Sequence, residues 1–244
     1  MDLKGKNILI TGGARIGQIV AIELAKKGSN VFMTYRTSPE KIEGILKQVK
    51  SKYGVNTGAY KLDLTKQDQV KSLRDQMVKD HKQIHGCVFM ASTFEGKDFF
   101  KTTDDELQAM LDGNIKATFF CVQALGEHMV QKGTGRIVLF GDAAAEYGKA
   151  YKGYAAYLSA KISVNGLTDV FAKELAPKVL VNAILPGPVL KPESMTDKEW
   201  KKDTDLTLLM KASSPEDIAK VVILCLETDA ITGVKLRVDC GKYL

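Results

Sequence analysis

Residues 6–17 read KNILITGGARIG. The apolar run Ile8-Leu9-Ile10 ends at Thr11 and passes into Gly12 and Gly13, with a third glycine at Gly17. From Arg15 to Lys27 the apolar residues Ile16, Ile19, Val20 and Leu24 recur at helical spacing. The stretch therefore predicts a strand, a glycine turn and a helix. Glycine lets a backbone approach a pyrophosphate closely, and a helix start offers free amides and the positive end of a dipole. A tight turn without a ligand is the plainer reading; the place between strand and helix favours a dinucleotide site.

The same alternation continues along the chain. Short apolar runs predict strands at 6–11, 30–35, 57–62, 86–90, 137–140, 179–184 and 235–238. Helical patterns separate them, at 15–27, from Ser38, at 66–80, 103–132, 152–176 and from Ser214. Pro186-Gly187-Pro188 breaks the pattern, and a polar segment expected to be irregular follows to about Ser213. This order predicts an α/β fold: a doubly wound, seven-stranded parallel sheet of Rossmann type, helices on both faces, one domain over 1–244. Ligands of such sheets bind beyond the carboxyl ends of the strands. Thr11 to Gly17, Arg36, Asp63, Ala91, Asp142 and Pro186 follow six successive strands at just those ends.

Composition narrows the function. The formal charge is +6, but basic and acidic residues are interleaved, as in TDKEWKKDTD at 196–205. Nucleic-acid binding calls for a basic stripe with aromatic interleaving, so attraction for an anionic cofactor or substrate is expected instead. No apolar stretch approaches the length of a membrane span. The start of the chain lacks the apolar core of a signal peptide, so a cytoplasmic protein is expected. Cys87, Cys121, Cys225 and Cys240 form no C-x-x-C pair and read as reduced thiols. His81, His85 and His128 have no metal-ligand spacing with them, so no metal site is expected.

A second stretch, residues 135–161, carries the chemistry: GRIVLFGDAAAEYGKAYKGYAAYLSAK. Tyr154, Tyr157 and Lys161 fall at i, i+3 and i+7 and share a helix face. A phenol beside an ammonium is an acid–base pair, and the positive charge is expected to lower the tyrosine pKa. A solvated Tyr–Lys pair is the alternative. Arg15 and Arg36 can pair with a phosphate or stack on adenine. No acid follows the second strand before Glu40, so NADPH is expected in preference to NADH. Asp63 either accepts from an adenine amino group or caps the turn at Thr65. Asn114, among apolar neighbours, needs partners: it either interrupts helix bonding or holds a proton-relay water.

Over nearly its full length the chain resembles the short-chain dehydrogenase/reductase family. The marks are TGGARIG (11–17), LDLT (62–65), Asn114, YLSAK (157–161), VNAILPGPV (181–189), SPEDIA (214–219) and ITGVKLRVDCG (231–241). The resemblance implies hydride transfer from a nicotinamide, with Tyr157 as proton donor. It also implies that Lys161 binds the nicotinamide ribose and lowers the tyrosine pKa, and that Asn114 holds a relay water. It gives the cofactor to Gly12, Arg15, Ile16, Gly17, Tyr35, Arg36, Asp63, Leu64, Ala91, Tyr157, Lys161, Pro186, Gly187 and Val189. A homotetramer or homodimer packed through 103–132 and 152–176 is implied as well.

The chain departs from the family pattern in three places. The glycine loop is one residue short, the segment after strand four reads FMASTF (89–94), and Asp142 stands where a catalytic serine is usual. The last two, with Gly153 to Tyr157 and PGPVLKPE (186–193), resemble the pteridine reductase branch. A carboxylate at Asp142 suits a pterin, whose amino and ring N–H groups are donors; a turn-supporting Asp is the alternative. Phe94, Tyr147, Tyr151, Tyr154, Met195 and Trp200 are expected to line a pocket for a planar heterocycle, with residues 190–213 as its lid. The competing functions are a 3-oxoacyl thioester reductase, an enoyl thioester reductase using Tyr154, and a non-catalytic NADP-binding sensor.

Overall fold

All seven expected strands form and pair in parallel: β1 (Asn7–Thr11), β2 (Asn30–Tyr35), β3 (Thr57–Lys61), β4 (Gly86–Phe89), β5 (Gly135–Phe140), β6 (Val179–Pro186) and β7 (Lys235–Val238). The computed structural model describes residues 1–13, 15–193 and 195–244. The strand order is β3-β2-β1-β4-β5-β6-β7. From β1 the chain winds outward to β3, then returns to the other side of β1 with β4. The crevice between β1 and β4 is therefore the switch point at which a nucleotide fits.

The sheet is buried on both faces because side chains alternate along each strand. Ile8 and Ile10 of β1 enter one core with Val31, Val88 and Val138, covered by α1 (Ile16–Lys26), α2 (Pro39–Tyr53) and α9 (Pro215–Glu227). Leu9 points the other way, into a core with Phe32, Cys87, Phe89 and Leu139. That face is covered by α3 (Gln67–His81), α5 (Ala117–Lys132) and α7 (Ala155–Leu175). Among the described residues no helix is long and apolar enough to cross a membrane. There is also no cluster of three or more His, Cys, Asp or Glu able to hold a metal.

Two expected elements differ. The single helix over 103–132 is broken into α4 (Asp104–Leu111), a π turn (Asp112–Lys116) and α5. Side chains enter the ladder there: Asn114 Nδ2 donates to the Met110 carbonyl at 3.0 Å, and Thr118 Oγ1 donates to the Asn114 carbonyl at 2.6 Å. Such intrusions open a helix locally. Gly113 in this turn lies against Thr93, whose Oγ1 would sit 2.3 Å from a Cβ. The segment after β6 is also less irregular than expected, since it contains α8 (Asp197–Asp205). Thr196 accepts from the Glu199 amide and Glu199 accepts from the Thr196 amide, a reciprocal cap that starts this polar helix. Asp142 caps the one-turn helix α6 (Ala143–Glu146) by accepting from the Ala145 amide alone, and Tyr154 sits at the first edge of α7.

Candidate active site

Strand β5 delivers Asp142 two residues beyond its last position, and α7 delivers Tyr157 one turn in. The Tyr157 hydroxyl donates to Asp142 Oδ2 at 3.1 Å, and the Tyr151 hydroxyl donates to the same oxygen at 3.2 Å. Asp142 Oδ1 accepts from the Ala145 amide at 3.1 Å. Asn165, one turn beyond Lys161, grips the backbone of Asp142 on both sides. Its Oδ1 accepts from the Asp142 amide at 3.2 Å and its Nδ2 donates to the Asp142 carbonyl at 3.0 Å. Gly141 is required here because a Cβ would fall 1.9 Å from Asn165 Oδ1. Asn165 escaped the sequence reading; its i+4 spacing from Lys161 was the available signal.

Tyr157 is 7% exposed and Lys161 4%. Burial pushes Tyr157 well above the ordinary phenol range, and the Asp142 charge pushes it further. This corrects the expectation that the neighbouring ammonium lowers it. Lys161 Nζ lies 5.8 Å from the Tyr157 ring centroid and donates instead to the Phe140 carbonyl at 2.8 Å. Burial lowers Lys161 to about 8, partly opposed by Asp142. In this structure both groups are therefore biased toward neutrality.

Asn114 is buried in the π turn. Its Oδ1 accepts from Ser92 Oγ at 2.7 Å, and its Nδ2 donates to the Thr93 carbonyl at 3.0 Å as well as to Met110. The side chain thus ties the β4 loop to the helix, and among the described residues none of its hydrogen bonds reaches Lys161. Of the two sequence alternatives for Asn114, the helix interruption is the one this geometry produces.

Above Asp142 opens a cleft of about 620 Å³. Of the expected substrate residues, Phe94, Asp142, Tyr151, Tyr154, Met195 and Trp200 all line it. Phe94 stacks on Tyr154 at 4.9 Å and meets Tyr157 edge-on at 4.8 Å. Tyr147 does not line it: it is exposed, and Arg237 packs over its ring at 4.5 Å. The sequence reading missed Lys149, Lys152, Asp203, Lys242 and Tyr243, which complete the wall. Residues 190–213 form one side through Leu190, Pro192, Met195, Trp200 and Asp203; Ser194 in that span lies outside the described residues.

The expected cofactor residues divide between two places. Gly12, Tyr35, Arg36, Asp63, Leu64 and Ala91 line a smaller pocket of about 140 Å³ at the switch point. Arg15, Ile16, Tyr157, Pro186, Gly187 and Val189 line the large cleft. Arg15 and Arg36 are thus not brought together, and Arg15 Nη2 donates to the Lys191 carbonyl at 3.0 Å across the cleft mouth. Gly17 is buried beneath the loop, and Lys161 lies under Tyr157 rather than on either wall.

These residues fit a dinucleotide. Gly12 has φ +64°, and a Cβ there would meet Ala91 Cα at 2.8 Å, so the loop lies hard against the β4 end. Among the described residues no side chain caps α1, so its first amides are available to a phosphate. Arg36 supplies a cation beside the smaller pocket. Asp63 Oδ1 accepts from the Thr65 amide at 2.9 Å and from its hydroxyl at 2.8 Å, so Asp63 caps that turn while also lining the pocket. Partial burial pushes its carboxyl up, but the Thr65 bonds and Arg36 outweigh that and hold it below the usual value.

A pocket at the switch point, in one fold with a Tyr–Lys pair and a Pro-Gly turn, places the chain in the Rossmann class of dehydrogenases. The chain belongs to the short chain dehydrogenase family, whose model matches residues 6–203. It is 29% identical to L-rhamnose 1-dehydrogenase (NADP(+)) of Thermoplasma acidophilum, with 100% of this chain and 98% of that protein covered. It is 30% identical to 3-oxoacyl-[acyl-carrier-protein] reductase FabG of Staphylococcus aureus, with 98% of each covered. Among solved structures, a short-chain dehydrogenase/reductase from Serratia marcescens superposes with a TM-score of 0.92 at 26% identity, covering 100% of both chains.

Proposed function

We propose that the protein is an NADPH-dependent reductase acting on a pterin-like substrate or a related conjugated C=N or C=O compound. The observation that carries this reading is the convergence of Tyr151 and Tyr157 on one oxygen of Asp142, inside an aromatic cleft. A carboxylate there accepts from an N–H donor of a planar heterocycle, and the stacked Phe94–Tyr154 pair gives the cleft an aromatic wall for it. Gly12, Arg36, Asp63 and Ala91 would hold part of an NADPH, which when bound would supply the hydride for the new C–H bond. Tyr157 gives its proton to the substrate heteroatom, completing the addition across the double bond. Burial and Asp142 keep the phenol protonated until substrate binds, and to deliver its single proton the Tyr157 hydroxyl turns from Asp142 Oδ2 to the substrate heteroatom. Lys161 holds the Phe140 carbonyl at the end of β5, Asn165 the Asp142 backbone and Asn114 the β4 loop.

The preference for NADPH is supported by Arg36 at the smaller pocket and by the NADP(+) in the name of the similar rhamnose dehydrogenase. Similarity to 3-oxoacyl-[acyl-carrier-protein] reductases favours a second reading, reduction of a 3-oxoacyl thioester; Asp142 in place of a hydroxyl donor weighs against it. The Tyr154 enoyl reading is weaker still, since that ring packs on Phe94 while Tyr157 holds the carboxylate. In the same proposal, residues 190–213 act as the lid. Exposed Phe119, Ile162 and Val170 on α5 and α7 support assembly of two or four copies through those helices. A monomer by sedimentation at micromolar concentration would count against that assembly.

The test is oxidation of NADPH and NADH followed with a dihydropterin, an acetoacetyl thioester and a crotonyl thioester. Turnover with NADPH and the dihydropterin is expected, reduced at least about 10²-fold by Tyr157→Phe, the lower end for loss of a general acid. Preference for the acetoacetyl thioester would transfer the assignment to the second reading. Cofactor binding without turnover of any of the three would point to a sensor.

A further inference from the structure

The chain continues past β7 into a tight turn at residues 239–243 on the cleft rim. Buried Asp239 organises it: Oδ1 accepts from the Gly241 amide at 2.9 Å and Oδ2 from the Tyr243 amide at 3.0 Å. Arg237 Nη1 donates to the Tyr243 carbonyl at 2.9 Å. A Cβ on Gly187 would fall 2.6 Å from Asp239 Cβ, so the turn also lies against the Pro-Gly loop. Its two last interior residues face different partners. Tyr243 lines the cleft, and burial followed by the Asp142 charge raises its phenol pKa. Both hydrogen bonds of Tyr243 among the described residues are made by its backbone, which leaves the hydroxyl for a ligand. Lys242 is only 13% exposed and forms an ion pair with Asp203 of α8. Two further contacts join the same segments. The Leu209 amide donates to the Cys240 carbonyl at 3.2 Å, and a Cβ on Gly241 would fall 2.9 Å from Leu208 Cβ.

We propose that this turn is a specificity element, in which Tyr243 contacts the substrate in the cleft it shares with Asp142 while Lys242–Asp203 clamps α8 against the cleft. The inference rests on the reading of the cleft as the substrate site. A hydroxyl and a carboxylate lining one cleft let the site take a substrate with both donors and an acceptor. With Lys242 at 13% and Asp203 at 32% side-chain exposure, removing Asp203 leaves a lysine charge with little water to replace its partner. Substrate contact and lid position are therefore coupled through two adjacent residues.

Two measurements test this. Hydrogen exchange over residues 197–210 in the cofactor-bound protein reads the clamp without turnover. Lys242→Met and Asp203→Asn are each expected to speed exchange there at least about fivefold, and the double variant to match the faster single one. Unchanged exchange in both single variants overturns the clamp. Steady-state kinetics read the contact, using whichever substrate of the panel the wild type turns over best. Tyr243→Phe should raise KM about fivefold, the usual size of one neutral hydrogen bond, with kcat and the NADPH dissociation constant unchanged. An unchanged KM overturns the contact, and so does a fall in kcat that tracks a lowered melting temperature. If the wild type fails to turn over the dihydropterin, the functional reading falls while the exchange result still decides the clamp.

Discussion

Asp142 Oδ2, two residues past the end of β5, accepts the Tyr157 hydroxyl at 3.1 Å. A serine can give a proton; an ionised carboxylate only accepts. Asp142→Ser should keep the fold, because serine also caps α6 well. It should lower kcat/KM for the dihydropterin by about 10- to 100-fold, matching about 1.5–3 kcal/mol for a charged hydrogen bond. Equal activity with the dihydropterin, measured at saturating NADPH, would remove Asp142 from substrate recognition.

The pH profile of the same site follows from signs. Asp142 raises the pKa of Tyr157 and also that of Lys161. Neutralising it as Asp142→Asn lowers both, so the alkaline limb of kcat/KM should move to lower pH whichever group sets it. An unmoved limb would show that neither group controls the rate.

Lys161 carries a stability signature apart from activity. Its folded pKa of about 8 lies below the ordinary 10.5. Between those values the unfolded chain holds a proton that the folded chain has shed, so stability gains from this residue as pH rises. Below pH 8 the buried charge is a full burden. The stability advantage of Lys161→Met over the wild type, or its smaller disadvantage, should therefore be greatest at pH 7. It should shift in favour of the wild type between pH 8 and 10.5, measured by urea unfolding without cofactor. A pH-independent difference would contradict the buried-lysine assignment.

Arg36 lines the switch-point pocket alone among the arginines. Arg36→Asp should weaken NADPH binding by about 10- to 100-fold, again the range of a charged hydrogen bond, while leaving NADH binding equal or improved. Fluorescence titration with each nucleotide checks this. Parallel weakening of both would mean that Arg36 does not read the phosphate.

Gly12→Ala should cost stability and cofactor together. The residue has φ +64°, where an L side chain is strained by about 1–2 kcal/mol, and its Cβ would press on the Ala91 backbone at 2.8 Å. A melting temperature lowered by roughly 2–4 °C per kcal/mol is expected for a domain of this size. An unchanged melting temperature would imply that the loop relaxes freely.

The sheet was legible because its strands are short runs, mostly apolar, closed by turn residues, whereas the strand order that puts the switch point between β1 and β4 came from the structure. Tyr157, Asp142 and Arg36 were legible because strand ends mark the ligand edge. What stayed hidden depends on contacts distant in sequence. Tyr147 and Tyr151 look alike in the sequence, yet only Tyr151 faces Asp142, because Arg237 draws the other outward. Lys242 and Tyr243 lie about 85 residues past Tyr157, and only the Asp239 turn brings them to the cleft. The helix α8 was visible as Thr196 and Glu199 at capping spacing, but its polar surface masked the period.

The π turn at Asp112–Lys116 makes the register of the site a matter of counting. Each residue advances a helix by roughly 100°, so removing one from this turn would swing Asn114 away from Ser92 and Thr93. Side-chain changes in α4 can be absorbed locally, whereas a single deletion would misalign the β4 loop against everything that follows. The spacing between Thr103 and Thr118 is in that sense a ruler, and its length is held more strictly than most of the letters written along it.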